Sequence, residues 1–181
     1  MEEQIKPLPE AMEKFILQWG DLGGQWGVNR SVSQIHAYLY LLDKPVTAED
    51  IAKTLDMARS NVSNSIKELL SWNLIYRVPI KGDRRDHFLA EGDVWEIAMR
   101  ISEGRKTREL DPALSTLKEC IEEARSDKGV DDVALARLQA MHDFTQNINN
   151  WYDQVHKMSP GTRDKLMKMG AKVLSFIPGL K

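Results

Sequence analysis

Residues 47–70 read Thr47-Ala48-Glu49-Asp50-Ile51-Ala52-Lys53-Thr54-Leu55-Asp56-Met57-Ala58-Arg59-Ser60-Asn61-Val62-Ser63-Asn64-Ser65-Ile66-Lys67-Glu68-Leu69-Leu70. Thr47 with Asp50 three positions on is a helix-start pattern, and Ile51, Ala52 and Leu55 fall on one face of the short helix that follows. A turn of small residues then leads into a second helix, expected over about Arg59–Trp72, with Val62, Ile66, Leu69 and Leu70 facing inward. Helix, three- to four-residue turn and helix is the helix-turn-helix layout.

Asn73 reads as the stop of that second helix, and Leu74-Ile75-Tyr76-Arg77-Val78-Pro79-Ile80 as a strand. Pro79 confines the strand to a sheet edge or marks its end. Lys81-Gly82-Asp83 is a turn signal, and His87-Phe88-Leu89 returns. Lys44-Pro45-Val46, just before Thr47, breaks the preceding helix and is available as a minimal strand. A helix-turn-helix followed at once by a hairpin with a basic tip is a winged helix.

The outward face of the second helix carries Ser60, Ser63, Asn64 and Lys67, with Arg59 and Asn61 at its start. Two readings fit such a face. One is ordinary solvation. The other is a major groove, which accepts short donors and acceptors near a helix N-terminus. The hairpin favours the second, since Arg84 and Arg85 suit phosphates or a narrow minor groove. Asp83 is expected to pair with an arginine and fix its direction. Charge distribution agrees. Between Met57 and Arg85, Arg59, Lys67, Arg77, Lys81, Arg84 and Arg85 stand against Glu68 and Asp83, while the whole chain carries −2. A basic island in a slightly acidic protein favours a localised polyanion site.

At this point the sequence resembles the MarR-type winged-helix transcriptional regulators, nearest the GbsR-like branch. The resemblance covers roughly residues 15–97. It rests on Val46-Thr47-Ala48-Glu49-Asp50-Ile51-Ala52, on Arg59-Ser60-Asn61-Val62-Ser63 and on the hairpin Asp83-Arg84-Arg85. It implies a homodimer on palindromic double-stranded DNA, with N- and C-terminal helices forming the dimer. It also implies a small-molecule effector. GbsR-like relatives respond to choline-type osmolytes, whose quaternary ammonium suits an aromatic cage, and Trp19, Trp26, Tyr38, Trp95, Trp151 and Tyr152 are the aromatics on offer. Ala90-Glu91-Gly92 departs from the Leu-Thr-rich segment common after the wing in such proteins.

Around this centre the chain reads helical. Met12, Phe15, Ile16, Trp19, Leu22 and Trp26 have helical spacing, interrupted by Gly20, Gly23, Gly24 and Gly27. Either that helix ends near Leu22, or the glycines allow close backbone approach to another helix or a ligand. Ser31 with Gln34 has capping-box form, predicting a helix over 32–42. Asp93-Val94-Trp95-Glu96 is a similar start. Gly104 and Asp111-Pro112 predict a break, with Asp111 as cap. Asp127-Lys128-Gly129 is a turn, residues 133–155 form the longest periodic run, and Ser159-Pro160 opens a last basic helix stopped by Pro178-Gly179.

Other chemistries find little support. The single cysteine, Cys120, excludes an internal disulfide framework and reads as a structural thiol. His36, His87, His142 and His156 are scattered, and no P-loop, His-Glu-x-x-His or Gly-x-Ser-x-Gly motif occurs. Asp153 and His156 share a helical face without a third ligand. The expectation is no enzyme, no metal and no cofactor. The N-terminal residues do not form a signal peptide, and no apolar run approaches the roughly 18 residues of a membrane span, so the expected location is cytoplasmic.

The expected fold is therefore mainly α: a winged helix-turn-helix over residues 31–92 with a small β-hairpin wing, an N-terminal packing or dimerisation helix over 1–30, and a C-terminal helical dimerisation region over 93–181. Base-edge contacts are expected from Ser60, Asn61, Ser63 and Asn64, and backbone or minor-groove contacts from Arg59, Lys67, Lys81, Arg84 and Arg85. The competing reading is a winged helix used only for protein–protein interaction.

Overall fold

The computed structural model describes residues 8–174. It is mainly α with one small sheet and divides into two units, residues 1–101 and 102–181. The N-terminal helix and the winged-helix elements both lie in the first of these units.

In the first unit, α1 (Glu10–Gln25) runs straight through its first glycines. Of the two readings of that stretch, close helix approach holds. A Cβ on Gly20 would lie 2.4 Å from Gln34 Cγ, and one on Gly23 would lie 1.9 Å from Ser33 Oγ. The glycines let α1 seat directly on α2 (Arg30–Tyr40). The cap of α2 differs from expectation: Asn29, not Ser31, accepts the first-turn N–H, that of Ser31, at 2.8 Å. Gln34 is buried under Gly20 and does not reach back to a cap.

Strand β1 (Val46–Thr47) leads into α3 (Ala48–Thr54). Here the expected capping box forms in both directions, with Asp50 N–H donating to Thr47 Oγ1 at 3.2 Å and Thr47 N–H to Asp50 Oδ2 at 3.1 Å. Burial pushes the Asp50 carboxyl up, but the Thr47 hydroxyl and N–H outweigh it and hold it below its ordinary value. Asp56, at φ 49°, takes the left-handed position that ends α3, and the Met57 N–H closes on the Ala52 carbonyl at 2.9 Å. The second helix, α4 (Arg59–Ser71), stops at Asn73 as expected, with φ 55°. β2 (Ile75–Val78) and β3 (His87–Ala90) follow. The antiparallel sheet has the order β1-β3-β2, with Val46 opposite Phe88 and Val78 opposite His87. β2 is an edge strand ending one residue before Pro79, which has no N–H to give to a ladder. Ile35, Leu39, Ile51, Val62 and Leu69 are fully buried and join α2, α3 and α4 into one core.

The junction Ala90-Glu91-Gly92 is organised by Glu91. Its carboxylate accepts the Asp93 N–H at 3.0 Å and the Arg100 guanidinium at 2.8 Å, and Arg100 also donates to the Asn73 carbonyl. Asp93 caps α5 (Val94–Arg105) through the N–H groups of Trp95 and Glu96, but it is Glu91, not Glu96, that returns to the Asp93 N–H.

In the second unit the expected break does not occur. α5 passes through a π-helical turn, Lys106–Leu110, into α6 (Asp111–Ser126). Pro112 lacks an N–H and its ring crowds the carbonyl four residues back; a widened turn removes that clash without ending the helix. Asp111 has helical dihedrals and is not a cap; its carboxylate instead receives Lys106 Nζ at 2.8 Å, across the turn. Cys120 is half-buried on α6. After the turn at 127–129, α7 (Asp132–His156) is capped by Asp131, and α8 (Pro160–Leu174) begins after Ser159. The predicted stop at Pro178-Gly179 lies outside the described residues. No helix among the described residues is long and apolar enough to cross a membrane.

Candidate nucleic-acid interface

Helical spacing on α4 separates two sets of side chains. Val62, Ser65, Ile66 and Leu69 are buried against α2 and α3. Ser60, Ser63, Asn64 and Lys67 are all exposed on the opposite side, forming one strip of short polar groups ending in an ammonium. Because the apolar side locks the roll of the helix, these four residues have a fixed outward direction.

Arg59 is exposed, but its guanidinium donates to Glu49 at 3.1 Å, linking the start of α4 to α3; Lys53 joins the same carboxylate at 3.2 Å. Asn61 lies apart from that strip. It is half-buried, and its Nδ2 donates to Ser31 Oγ at 2.8 Å.

The hairpin tip carries Lys81, Arg84 and Arg85, all exposed, around Gly82 at φ +88°. Asp83 pairs with Arg85 as the sequence suggested. Its carboxylate accepts the Arg85 Nε–H at 3.0 Å, Nη2 at 2.5 Å and the Arg85 backbone N–H at 3.0 Å. These bonds hold the Asp83 carboxyl well below the usual carboxylate range and raise the Arg85 guanidinium in turn. His87, buried at the foot of the hairpin, has Nε2 3.5 Å from Asp83 Oδ2 and donates Nδ1–H to the Arg85 carbonyl, 3.0 Å away. Arg84 has no carboxylate partner among the described residues.

Between α4, the start of α3 and the hairpin lies a concavity of about 510 Å³ lined by Thr47, Ser63, Lys67, Arg77, Arg85 and Phe88 among others. It brings Ser63 and Lys67 from the recognition strip together with Arg85 of the wing. Arg77, absent from the expected contacts, belongs here as well; it projects from the edge strand and pairs with Asp86 at 3.4 Å. Its position two residues before Pro79 on an edge strand was the available signal. Glu49, which gathers Arg59 and Lys53, was likewise not anticipated.

A second cavity of about 250 Å³ is almost wholly apolar and lies among Phe15, Trp19, His36, Tyr40, Val94 and Ile97. Phe15 and Trp19 stack with centroids 5.5 Å apart. His36 is buried, its Nε2 has no hydrogen-bond partner among the described residues, and burial lowers its pKa to about 4, so the ring is neutral at physiological pH. Of the aromatics proposed for a cage, only Trp19 lines this cavity. Tyr38 is buried elsewhere with its hydroxyl 3.5 Å from Thr54 Oγ1, Trp26 and Trp151 are exposed, and Tyr152 donates to Glu103. Phe15 and Tyr40 were missed; each sits four residues from another lining residue, a spacing readable in advance. No group of three or more potential metal ligands occurs among the described residues.

The MarR family model matches residues 26–86, a segment that starts just before α2 and ends at the foot of the wing. The chain is 24% identical to the HTH-type transcriptional repressor GbsR of Bacillus subtilis (strain 168), covering 84% of this chain and 83% of that protein. A crystal structure of a transcriptional regulator has a similar fold, with TM-score 0.56 and 17% identity over 81% of this chain and 95% of the other. The helix-turn-helix, the hairpin and the segment that the MarR family model matches coincide, so residues 26–86 form a winged helix similar to that family's.

Proposed function

We propose that the chain is a sequence-specific, double-stranded DNA-binding transcriptional regulator that works as a homodimer in the cytoplasm and answers to a small-molecule effector. The observation that carries the DNA reading is the exposed strip Ser60, Ser63, Asn64 and Lys67 set beside a wing whose Arg85 is aimed by Asp83. A recognition helix of this kind contacts base edges from its N-terminal half, while the wing and Lys67 neutralise phosphates. In a dimer the two α4 helices would enter successive major grooves, roughly 34–36 Å apart. The similarity to a repressor supports the same reading.

Polarisation measurements on duplex DNA from upstream of the protein's own gene test it. Arg84→Ala should weaken binding to all sequences alike and flatten the log–log salt dependence by about one unit. Asn64→Ala should change sequence preference instead. Binding by neither wild type nor variants would favour a protein-interaction module.

The effector reading rests on the apolar cavity at Phe15, Trp19 and Tyr40. Three aromatic faces and a neutral His36 suit an apolar or quaternary-ammonium ligand, since no like charge opposes a cation there. Calorimetric titration with choline and glycine betaine should give heat at millimolar concentration that Trp19→Ala abolishes. No heat from either compound would exclude the quaternary-ammonium class.

A further inference from the structure

The Asn61 side chain sits at the head of the recognition helix yet points away from the strip that Ser60, Ser63, Asn64 and Lys67 share. Helical period puts it one turn before Ser65, which is buried, on the edge of α4 nearest α2. There its Nδ2 donates to Ser31 Oγ at 2.8 Å, thirty residues away in sequence. The first turn of α4 has no side-chain cap of its own, because its N-cap is Ala58. An uncapped first turn leaves N–H groups without intrahelical partners and tends to fray unless tertiary contacts hold it. Among the described contacts, side-chain bonds to that turn come from Asn61 to Ser31 and from Arg59 to Glu49.

Ser31 is a firm anchor. Its own N–H is held by the Asn29 cap at 2.8 Å, and it lies in the first turn of a helix whose next residues, Ser33 and Gln34, are pressed onto Gly23 and Gly20 of α1. The tether therefore ties the reading end of α4 to the tightest packed pair of helices in the first unit.

We infer that Asn61 is a positioning residue, which sets the pose of the recognition helix through Ser31 and does not itself read a base. This rests on the DNA-binding reading above. To read a base, Asn61 would have to release Ser31 and leave that hydroxyl without its partner, in a half-buried setting where an unmade hydrogen bond is unfavourable.

Ser31→Ala, Asn61→Ala, the double variant and Ser31→Thr decide the point, with polarisation on the upstream duplex and base-by-base preference from a randomised-site selection. Ser31→Ala and Asn61→Ala each put a better helix former at a helical position, so both variants keep the fold. The expected result is a loss of about three- to tenfold in specific affinity for Ser31→Ala and for Asn61→Ala, with the double variant no worse than either. The loss should spread over the whole site, without relaxation at any one base pair and without change in salt slope, and Ser31→Thr, which keeps the acceptor, should bind like wild type. Hydrogen exchange at the amides of residues 59–62 should quicken in Ser31→Ala. Relaxed preference at one base pair in Asn61→Ala, with Ser31→Ala binding unchanged, would overturn the positioning role alone. Failure of the wild-type chain to bind any duplex would overturn the DNA-binding reading and this role with it.

Discussion

Asp83 grips Arg85 through both guanidinium and backbone donors, at 2.5–3.0 Å, so the wing arginine is held in one direction before any partner arrives. Charge arithmetic predicts that removing a carboxylate from a basic surface improves binding to a polyanion. The geometry predicts the opposite. Asp83→Asn should weaken duplex binding about three- to tenfold and lower the salt slope by about one, because a wandering Arg85 no longer displaces counterions at a fixed phosphate. Arg85→Ala should match it, and the double variant should be no worse. Since Arg85 keeps the Asp83 carboxyl well below the usual carboxylate range, the difference should be the same at pH 7 and pH 5. Tighter binding by Asp83→Asn at low salt would identify Asp83 as a repulsive charge only.

The seat of α1 on α2 gives a sign test. Helix propensity alone makes each Gly→Ala favourable by up to about 1 kcal/mol. At Gly23 the new Cβ meets Ser33 Oγ at 1.9 Å and Ser33 Cβ at 2.6 Å, and a short side chain on a helix has nowhere to withdraw. Overpacking of that kind costs about 1–3 kcal/mol, so Gly23→Ala should lower the urea midpoint. Gly24→Ala, with nothing within 4 Å of its Cβ, should leave it unchanged or raise it. Similar midpoints for the two variants would show that α1 is free to lift from α2.

His36 makes stability depend on pH. The unfolded chain takes up the proton near the ordinary value of 6.5, whereas the folded chain refuses it until about 4. Between those values the unfolded state binds more protons, so stability rises with pH, is fully present above about 6.5 and is lost as pH falls toward 4. At about 1.4 kcal/mol per unit, the loss by pH 4 is about 2–3 kcal/mol. Urea denaturation at pH 7 and pH 5 should show a larger drop for wild type than for His36→Gln; equal drops would mean the ring is protonated in the fold.

Much of this architecture was legible because local rules and global packing agree. Thr47 and Asp50 meet a capping box, Asn73 takes the left-handed stop, and Pro79 sits just past an edge strand. Less was legible where a tertiary contact decided between local options. Gly20 and Gly23 left two readings open, a helix end or a close approach, until Gln34 and Ser33 supplied the reason for their missing side chains. Pro112 looked like a break, but a π turn accommodates it. Asn61 lies next to Ser60 in sequence and a third of a turn away in space, toward Ser31, a residue that no local pattern links to it. The lining of the apolar cavity was hidden for the same reason, since Phe15, His36 and Val94 come from three separate helices.

The longest helix supplies the last test. α7 packs one side on α6 and the π turn, where Leu135, Leu138 and Tyr152 are partly covered. On its other side Val133, Met141, Phe144, Ile148 and Trp151 recur at helical spacing, and Phe144 and Trp151 remain 64% and 62% exposed. A stripe of that kind is unfavourable in water, and a two-fold partner presenting the same stripe would bury it at no cost in new sequence. Phe144→Glu and Trp151→Glu should therefore leave the single chain folded, because both side chains are mostly exposed and exposed substitutions usually change stability by less than about 0.5 kcal/mol. Sedimentation should then report a shift from dimer toward monomer. Affinity for a palindromic site should fall by orders of magnitude while affinity for a half-site is nearly unchanged, since joining two half-sites is an effect of effective concentration and not of contacts in either one. Variants that stay dimeric would place the interface elsewhere, on α1 or α8, where Leu17, Met167 and Met169 are also exposed.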